Sequence, residues 1–313
     1  MSEAREIVLL GPQRLKPIVS GALKRLGISG SIAIVTAGWE EREGEDRELS
    51  EHVGVDVRNL SVYQRVEDIF QRDQELFDAM RKRHDTMRKI QTFYRMRLAH
   101  ALESARELLG REDAEPELLE SARESAISVV RQLDTEHLDR VDEVHAEFNE
   151  VWRPGEREHV AHHRQAIASE MAECQALCIA GGHVAILLNR MRLLDVIGLA
   201  PDIPILAWAA GAMVLGERVI LFHDSPPQGP GDAEVLERGF GLCKDFVALP
   251  HASRRLRLED KTRVGLFAKR FGPANCVALD ELCEVTYNGG VLRPEALTMC
   301  LTPEGLLKEM EAA

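Results

Sequence analysis

The stretch Ile203-Pro-Ile-Leu-Ala-Trp-Ala-Ala-Gly-Ala-Met213 decides the fold. Its apolar start over 203–207 predicts a strand, the small residues that follow predict a tight turn, and 210–215 predicts a short helix. This is the layout of a nucleophile elbow, in which a strained turn lifts one side chain above a sheet at the start of a helix. Small residues are needed there because the turn brings strand and helix backbones close together. The residue at the tip is Ala209. Taken alone, the segment also admits the plainer reading of an ordinary buried strand–helix junction.

Three neighbouring segments weigh against that plainer reading. Cys178-Ile-Ala-Gly-Gly-His183 ends a strand in a glycine pair, and the bare N–H groups of Gly181 and Gly182 suit an oxyanion hole. Leu221-Phe-His-Asp-Ser-Pro-Pro227 sets Asp224 after the next strand, and Ala248-Leu-Pro-His251 sets His251 after another. A single Asp or His at a strand end is ordinarily structural. Together these residues fall where strand C-termini converge, which is where open α/β sheets bind ligands.

The rest of the chain has three textures. Ile7–Leu10 and Ser31–Val35 predict strands around a helix within Leu15–Leu26, which Gly27 stops. Alternation resumes at Ala176–Ala180, with a helix over Ala185–Leu194 and further strands at Arg218–Phe222 and Phe246–Ala248. Asn288-Gly289-Gly290 predicts the turn of a closing hairpin between Cys283–Tyr287 and Val291–Arg293. Strands that read as continuous apolar runs predict a mostly parallel sheet with helices on both faces.

Between these parts neither Gly nor Pro occurs from Val62 to Leu109, and apolar residues recur at close to the roughly 3.5-residue period of packed helices. Gly110 with Pro116, and Pro154-Gly155, mark turns, so the reading is three long helices. The expected division is 1–61 and 174–313 as two parts of one α/β domain, with 62–173 a helical insertion. One helix from Val62 to Leu109 would span roughly 70 Å at 1.5 Å per residue and project beyond the body. Its apolar stripe, including Met80, Met87, Ile90 and Tyr94, would then need covering, so a homo-oligomer through 62–173 is expected. On this view removal of 64–170 leaves a soluble monomeric body.

Composition narrows the function classes. The chain has 313 residues, 45% of them hydrophobic, and a formal net charge of -13. That charge disfavours nucleic acid and anionic membranes as partners. The short apolar stretches at either the N-terminus or Ile203–Leu215 give no signal peptide or bilayer span. Six cysteines without metal-type pairing fit free thiols in a cytoplasmic protein.

The run Gly181-Gly182, Ala207-Trp-Ala-Ala-Gly-Ala212, His223-Asp224-Ser-Pro and Leu249-Pro-His251 resembles the aspartyl dipeptidase (peptidase E) and cyanophycinase family of serine peptidases. The resemblance is loose over 6–60, good over 176–290, and absent over the helical segment. It implies a flavodoxin-like α/β fold of the class I glutamine amidotransferase-like type. It also implies catalytic roles for Asp224 as acid and His251 as base, with Ala209 on the nucleophile position. Gly181, Gly182 and the Ala210 N–H would form the oxyanion hole. His183 and Trp208 would flank the substrate, and no cofactor is implied.

The departure at Ala209 matters most, because the family's elbow carries a serine. Acyl transfer of this design needs an oxygen or sulfur nucleophile, and a methyl group cannot attack a carbonyl. The readings are a natural pseudoenzyme, an introduced Ser→Ala replacement, or water activated directly by His251. Ser225 and Ser253 lie near the acid and base in sequence but off the elbow. Arg254 and Arg255 read as a carboxylate clamp for a small acidic peptide or peptide-like ligand, or as a basic turn opening a helix. Glu156-x-x-His159 and Asp142-x-x-His145 have the spacing of di-metal bundles, yet the inward carboxylates such sites need are not evident, so no metal is expected. The alternative function is a non-enzymatic binding or assembly protein acting through the helical segment.

Overall fold

The computed structural model describes residues 5–200, 202–224, 231–296 and 298–310. In the first part, Ile7–Leu10 (β1), Ile32–Val35 (β2) and Val57–Asn59 (β3) alternate with helices Val19–Arg25 (α1) and Arg47–Val53 (α2). Every residue of β1 and β2 is buried, as aliphatic runs covered on both faces should be. Four helices follow: Val62–Arg72 (α3), Gln74–Gly110 (α4), Pro116–Trp152 (α5) and Glu158–Met171 (α6). Alternation then resumes with Leu177–Ile179 (β4), Val184–Leu193 (α7), Ile205–Trp208 (β5), Ala210–Leu215 (α8), Arg218–Leu221 (β6) and Glu234–Arg238 (β7). The last part contains Phe246–Pro250 (β8), Ala252–Arg255 (α9), Lys261–Phe271 (α10) and Asn275–Leu279 (β9). Glu284–Asn288 (β10), Val291–Pro294 (β11), Met299–Leu301 (β12) and Leu307–Glu309 (β13) close the chain.

The fold is a mixed α/β body with a mostly parallel sheet, interrupted by long helices. Its main sheet has seven strands in the order β11-β10-β1-β5-β4-β2-β3. The five strands from β1 to β3 in that order run parallel, and the β10–β11 hairpin adds antiparallel to β1. That hairpin turns at Gly289-Gly290, as the sequence predicts. Strands β6 to β9, with β12 and β13, do not extend this sheet. β8 pairs in parallel with β9 in a separate four-stranded sheet, and β6 pairs with β7 alone.

The expected single rod from Val62 is two helices. Asp73 leaves helical geometry at φ -126°, ψ 76°, and its carboxylate accepts the Leu76 N–H at 3.0 Å as the N-cap of α4. Arg157, at the start of α6, grips the same carboxylate with Nη2 at 2.6 Å. A polar cap can end a helix without Gly or Pro, which is why the apolar period alone overran the break. The remaining helix α4 has 37 residues, about 55 Å at 1.5 Å per residue.

Nor does the helical segment stand apart from the body. α4 and α5 pack along each other and against α10 and β7. One continuous apolar core includes Leu98 and Ile127 of these helices together with Phe267, Leu187 and Leu215 of the body. At the seam the Asp134 carboxylate accepts the Tyr94 hydroxyl at 2.6 Å and Arg270 Nε and Nη2 at 2.7 and 2.6 Å. Arg270 Nη1 also donates to the Ala233 carbonyl at 2.6 Å. His137 stacks on Tyr94 with ring centroids 4.2 Å apart, and its Nε2 bonds the Leu236 carbonyl at 2.9 Å. Among the described residues no helix is long and apolar enough to cross a membrane.

Candidate functional site

Four neighbouring parallel strands end on the same side of the main sheet, and their C-terminal loops enclose one cleft. β1 leads into Pro12-Gln13-Arg14, β2 into Gly38-Trp39, β4 into Gly181-Gly182, and β5 into Ala209. His251 enters from the end of β8 in the second sheet, where its backbone N–H donates to the Leu279 carbonyl at 3.2 Å. The cleft measures about 490 Å³, within the roughly 300–1,000 Å³ of small-molecule sites.

Ala209 sits at φ 51°, ψ -123°, between β5 and the first residue of α8. Non-glycine residues avoid this region, and such strain costs on the order of 1–3 kcal/mol. The sharp strand-to-helix turn read from 203–213 is therefore present with alanine at its tip. Helix α8 begins at Ala210, whose N–H belongs to the first turn and has no partner within the helix.

The glycine pair is fitted against this turn. A Cβ on Gly181 would lie 2.7 Å from the Ala209 Cβ. Gly182 has φ 116°, and a Cβ there would run into the Gly38 carbonyl. The Gly38 carbonyl also accepts the His183 N–H at 2.7 Å, tying the β2 and β4 loops together. Beside Gly38, Glu40 holds a second strained turn at φ 59°, ψ -128°. Larger side chains are excluded at Gly38, Gly181 and Gly182 because the three loops approach one another this closely.

The His251 imidazole is pushed below its ordinary range by burial, with Arg255 and Arg254 adding to the effect and Asp280 and Glu281 opposing it. Its ring is therefore neutral near pH 7 and able to accept a proton. Asp280 and Glu281 follow β9, the parallel neighbour of β8, and are the acids that act on this ring.

Other sequence candidates lie elsewhere. Asp224 does not line the Ala209 cleft. Its carboxylate pairs with Arg263 and accepts the Arg257 N–H at 3.2 Å, and it faces a different, smaller cavity beside Arg106 of α4. Among the described residues its side chain makes no hydrogen bond or ion pair with His251. Arg254 pairs with Glu281 at 3.1 Å, while Arg255 lies over the Phe222 ring at 5.9 Å, so neither forms a clamp on the cleft. His183 caps α7, its Nδ1 accepting the Ile186 N–H at 3.3 Å. Trp208 is buried and contributes to the cleft wall. Ser253 donates its hydroxyl to Asp280 at 3.0 Å, and Ser225 lies outside the described residues. In the helical segment, His145 bonds Glu237 at 3.0 Å and His163 bonds Asp68 at 2.9 Å. No group of three metal-type ligands gathers among the described residues.

Sequence reading missed Arg14, Gly38, Trp39 and the Asp280-Glu281 pair. The available signal was positional: each follows an apolar run that ends a strand, as Gly181 does.

No family model matches the chain, and no curated protein matches it. Among solved structures it is similar to the crystal structure of a peptidase from an acI-B1 Actinobacterium, at 12% identity and a TM-score of 0.50. That likeness covers 100% of this chain and 96% of the other. At such low identity the two share a fold, and nothing finer follows.

Proposed function

We propose that this chain is a serine-peptidase-like scaffold that binds a small acidic peptide or peptide-like ligand at the Ala209 cleft and does not hydrolyse it. The observation that carries this reading is the strained backbone of Ala209. The turn retains the geometry that presents a nucleophile, opposite backbone donors and a neutral histidine, while the side chain at its tip is a methyl group. Arg14 lines the cleft without an ion-pair partner among the described residues, which suits a ligand carboxylate. The Gly181, Gly182 and Ala210 N–H groups would hold a carbonyl or carboxylate oxygen, and His251 would accept a hydrogen bond. The proposed acid beside His251 is Asp280 or Glu281, in place of Asp224. Six free thiols, five of them buried, suit a reducing cytoplasm.

An activity-based fluorophosphonate probe tests this reading. The chain as it stands should remain unlabelled, and Ala209→Ser should become labelled in a manner lost on adding His251→Ala. Labelling of the unmodified chain would show a nucleophile elsewhere and overturn the proposal.

A second reading, assembly through the helical segment, draws on its exposed apolar side chains. Phe93 and Met96 of α4 and Leu118 and Val129 of α5 lie open to solvent. Sedimentation at micromolar concentration should show a dimer or larger if these faces are covered by another copy, and a monomer would remove this reading.

A further inference from the structure

A second cleft, of about 570 Å³, lies where the helical segment meets α7. Arg83 of α4, Arg153 at the end of α5, Arg164 of α6 and Arg192 of α7 all line it, against the carboxylates of Asp142 and Glu156. In a chain of net charge -13 this is a local excess of positive charge.

The carboxylates present are largely committed. Asp142 pairs with Arg238, outside the cleft lining. Glu156 meets the exposed Arg153 only at 3.7 Å. The buried Glu237 behind the cleft pairs with Arg192 and lies 3.0 Å from His145. Arg164 donates Nε and Nη2 to the Leu193 carbonyl at 3.1 and 2.8 Å and has no carboxylate partner among the described residues.

Arg83 is the least satisfied. Its guanidinium packs over the Phe148 ring at 4.3 Å, and its buried Nε has no hydrogen-bond partner among the described residues. Burial pulls this group down to about 10, with Glu237 opposing the shift and Arg192 adding to it. Other arginines drawn out of water meet carboxylates: the buried Arg270 meets Asp134 at 2.6 Å, and the half-buried Arg190 of α7 meets Glu67 of α3 at 2.6 Å. A guanidinium taken out of water without an anion is costly, and a bound anion removes that cost.

We propose that this cleft binds a small metabolite carrying two or more phosphate or carboxylate groups, anchored by Arg83 and Arg164, with Arg153 closing on it from the rim. The planar guanidinium fork offers paired donors to either kind of oxyanion, and the volume suits a metabolite. The site is independent of the Ala209 cleft.

Titration calorimetry of the full chain, with inorganic pyrophosphate and with citrate at constant ionic strength, tests the proposal. One or both should bind saturably with one site per chain, and the stronger of the two identifies the preferred oxyanion. Arg83→Met keeps the contact with Phe148 and should weaken binding about tenfold or more, as should Arg164→Gln, because each removes a charged hydrogen-bond donor. Without ligand, Arg83→Met should melt no lower than the parent chain. Should it fold poorly, the exposed Arg153→Gln provides a variant whose fold is safe, with binding weakened about threefold. Absence of saturable binding up to on the order of 10 mM for both probes overturns the proposal. So does binding by folded Arg83→Met, or by Arg153→Gln and Arg164→Gln together, that equals that of the parent chain.

Discussion

The Ala209 corner and the Asp134 seam solve the same problem, holding distant segments together, with opposite materials. At the corner the β2, β4 and β5 loops meet through backbone: Gly38 against Gly182, and Gly181 against Ala209. At the seam, α4, α5 and α10 meet through side chains, with Tyr94, Asp134 and Arg270 buried and mutually bonded. The corner borders an open cleft of about 490 Å³. At the seam the paired ions are themselves buried, Arg270 and Asp134 each 3% exposed. Backbone contact suits a surface that must receive a ligand, whereas a saturated ionic cluster suits a joint that must not open.

Removing the joint altogether should have the largest effect. Deleting 64–170 behind a short Gly/Ser bridge would strip the helices from α10 and β7, and the remaining body is expected to aggregate rather than form a soluble monomer. This reverses the expectation from sequence, because the apolar core runs continuously from helices to body. A soluble, cooperatively unfolding product would show that the seam is dispensable.

A subtler break is Arg270→Met, which leaves Asp134 buried without its cation. Loss of one partner from a buried pair costs about 3–5 kcal/mol, so denaturant midpoints should fall sharply. A change near zero would mean that water reaches Asp134.

Gly182→Ala probes the corner by the same measurement. It combines strain at φ 116° with a collision against the Gly38 backbone, and about 2–4 kcal/mol should be lost. Ala209→Gly should do the reverse on a smaller scale. Relief of strain at φ 51° outweighs the extra freedom of the unfolded chain, giving a gain of about 1 kcal/mol. Destabilisation by this change would mean that the Ala209 methyl packs better than its backbone suggests.

The smallest expected effect is electrostatic. His251 has a folded value below its ordinary 6.5, so the folded state binds fewer protons than the unfolded state in the interval between them. Its contribution to stability is therefore intact above pH 6.5 and declines as pH falls below that value. NMR titration of the ring should give a midpoint below 6.5, and a midpoint above it would place a carboxylate in direct contact.

These contrasts also explain what could be read from residues alone. β1, the 210–215 helix and the 288–290 turn were legible because each rests on local apolar runs or glycine chemistry. Gly181, Ala209 and His251 were legible because their positions at strand ends bring them into one cleft. The surroundings of Asp224 were not legible because position after a strand says nothing about which sheet that strand joins: β6 pairs with β7 and not with β8 or β5. The break at Asp73 hid within an unbroken apolar period. The Asp134 seam was beyond sequence reasoning, since its partners at 94, 134 and 270 share no local pattern.

The position of β1 has a consequence for the order in which the protein can fold. β1 is made before both of its partners, yet it lies between β5, at 205–208, and β10, at 284–288. During synthesis both its edges stay unpaired while roughly two hundred residues are added, and the second stays open for longer still. The α4–α5 hairpin joins neighbours in the chain and can form as it emerges, since contacts close in sequence form fastest. The growing chain would thus carry a finished helical arm beside an unpaired apolar strand, the kind of edge that invites association between chains. Aggregation during expression should therefore track how long 7–10 waits for 284–288, not how stable the finished protein is.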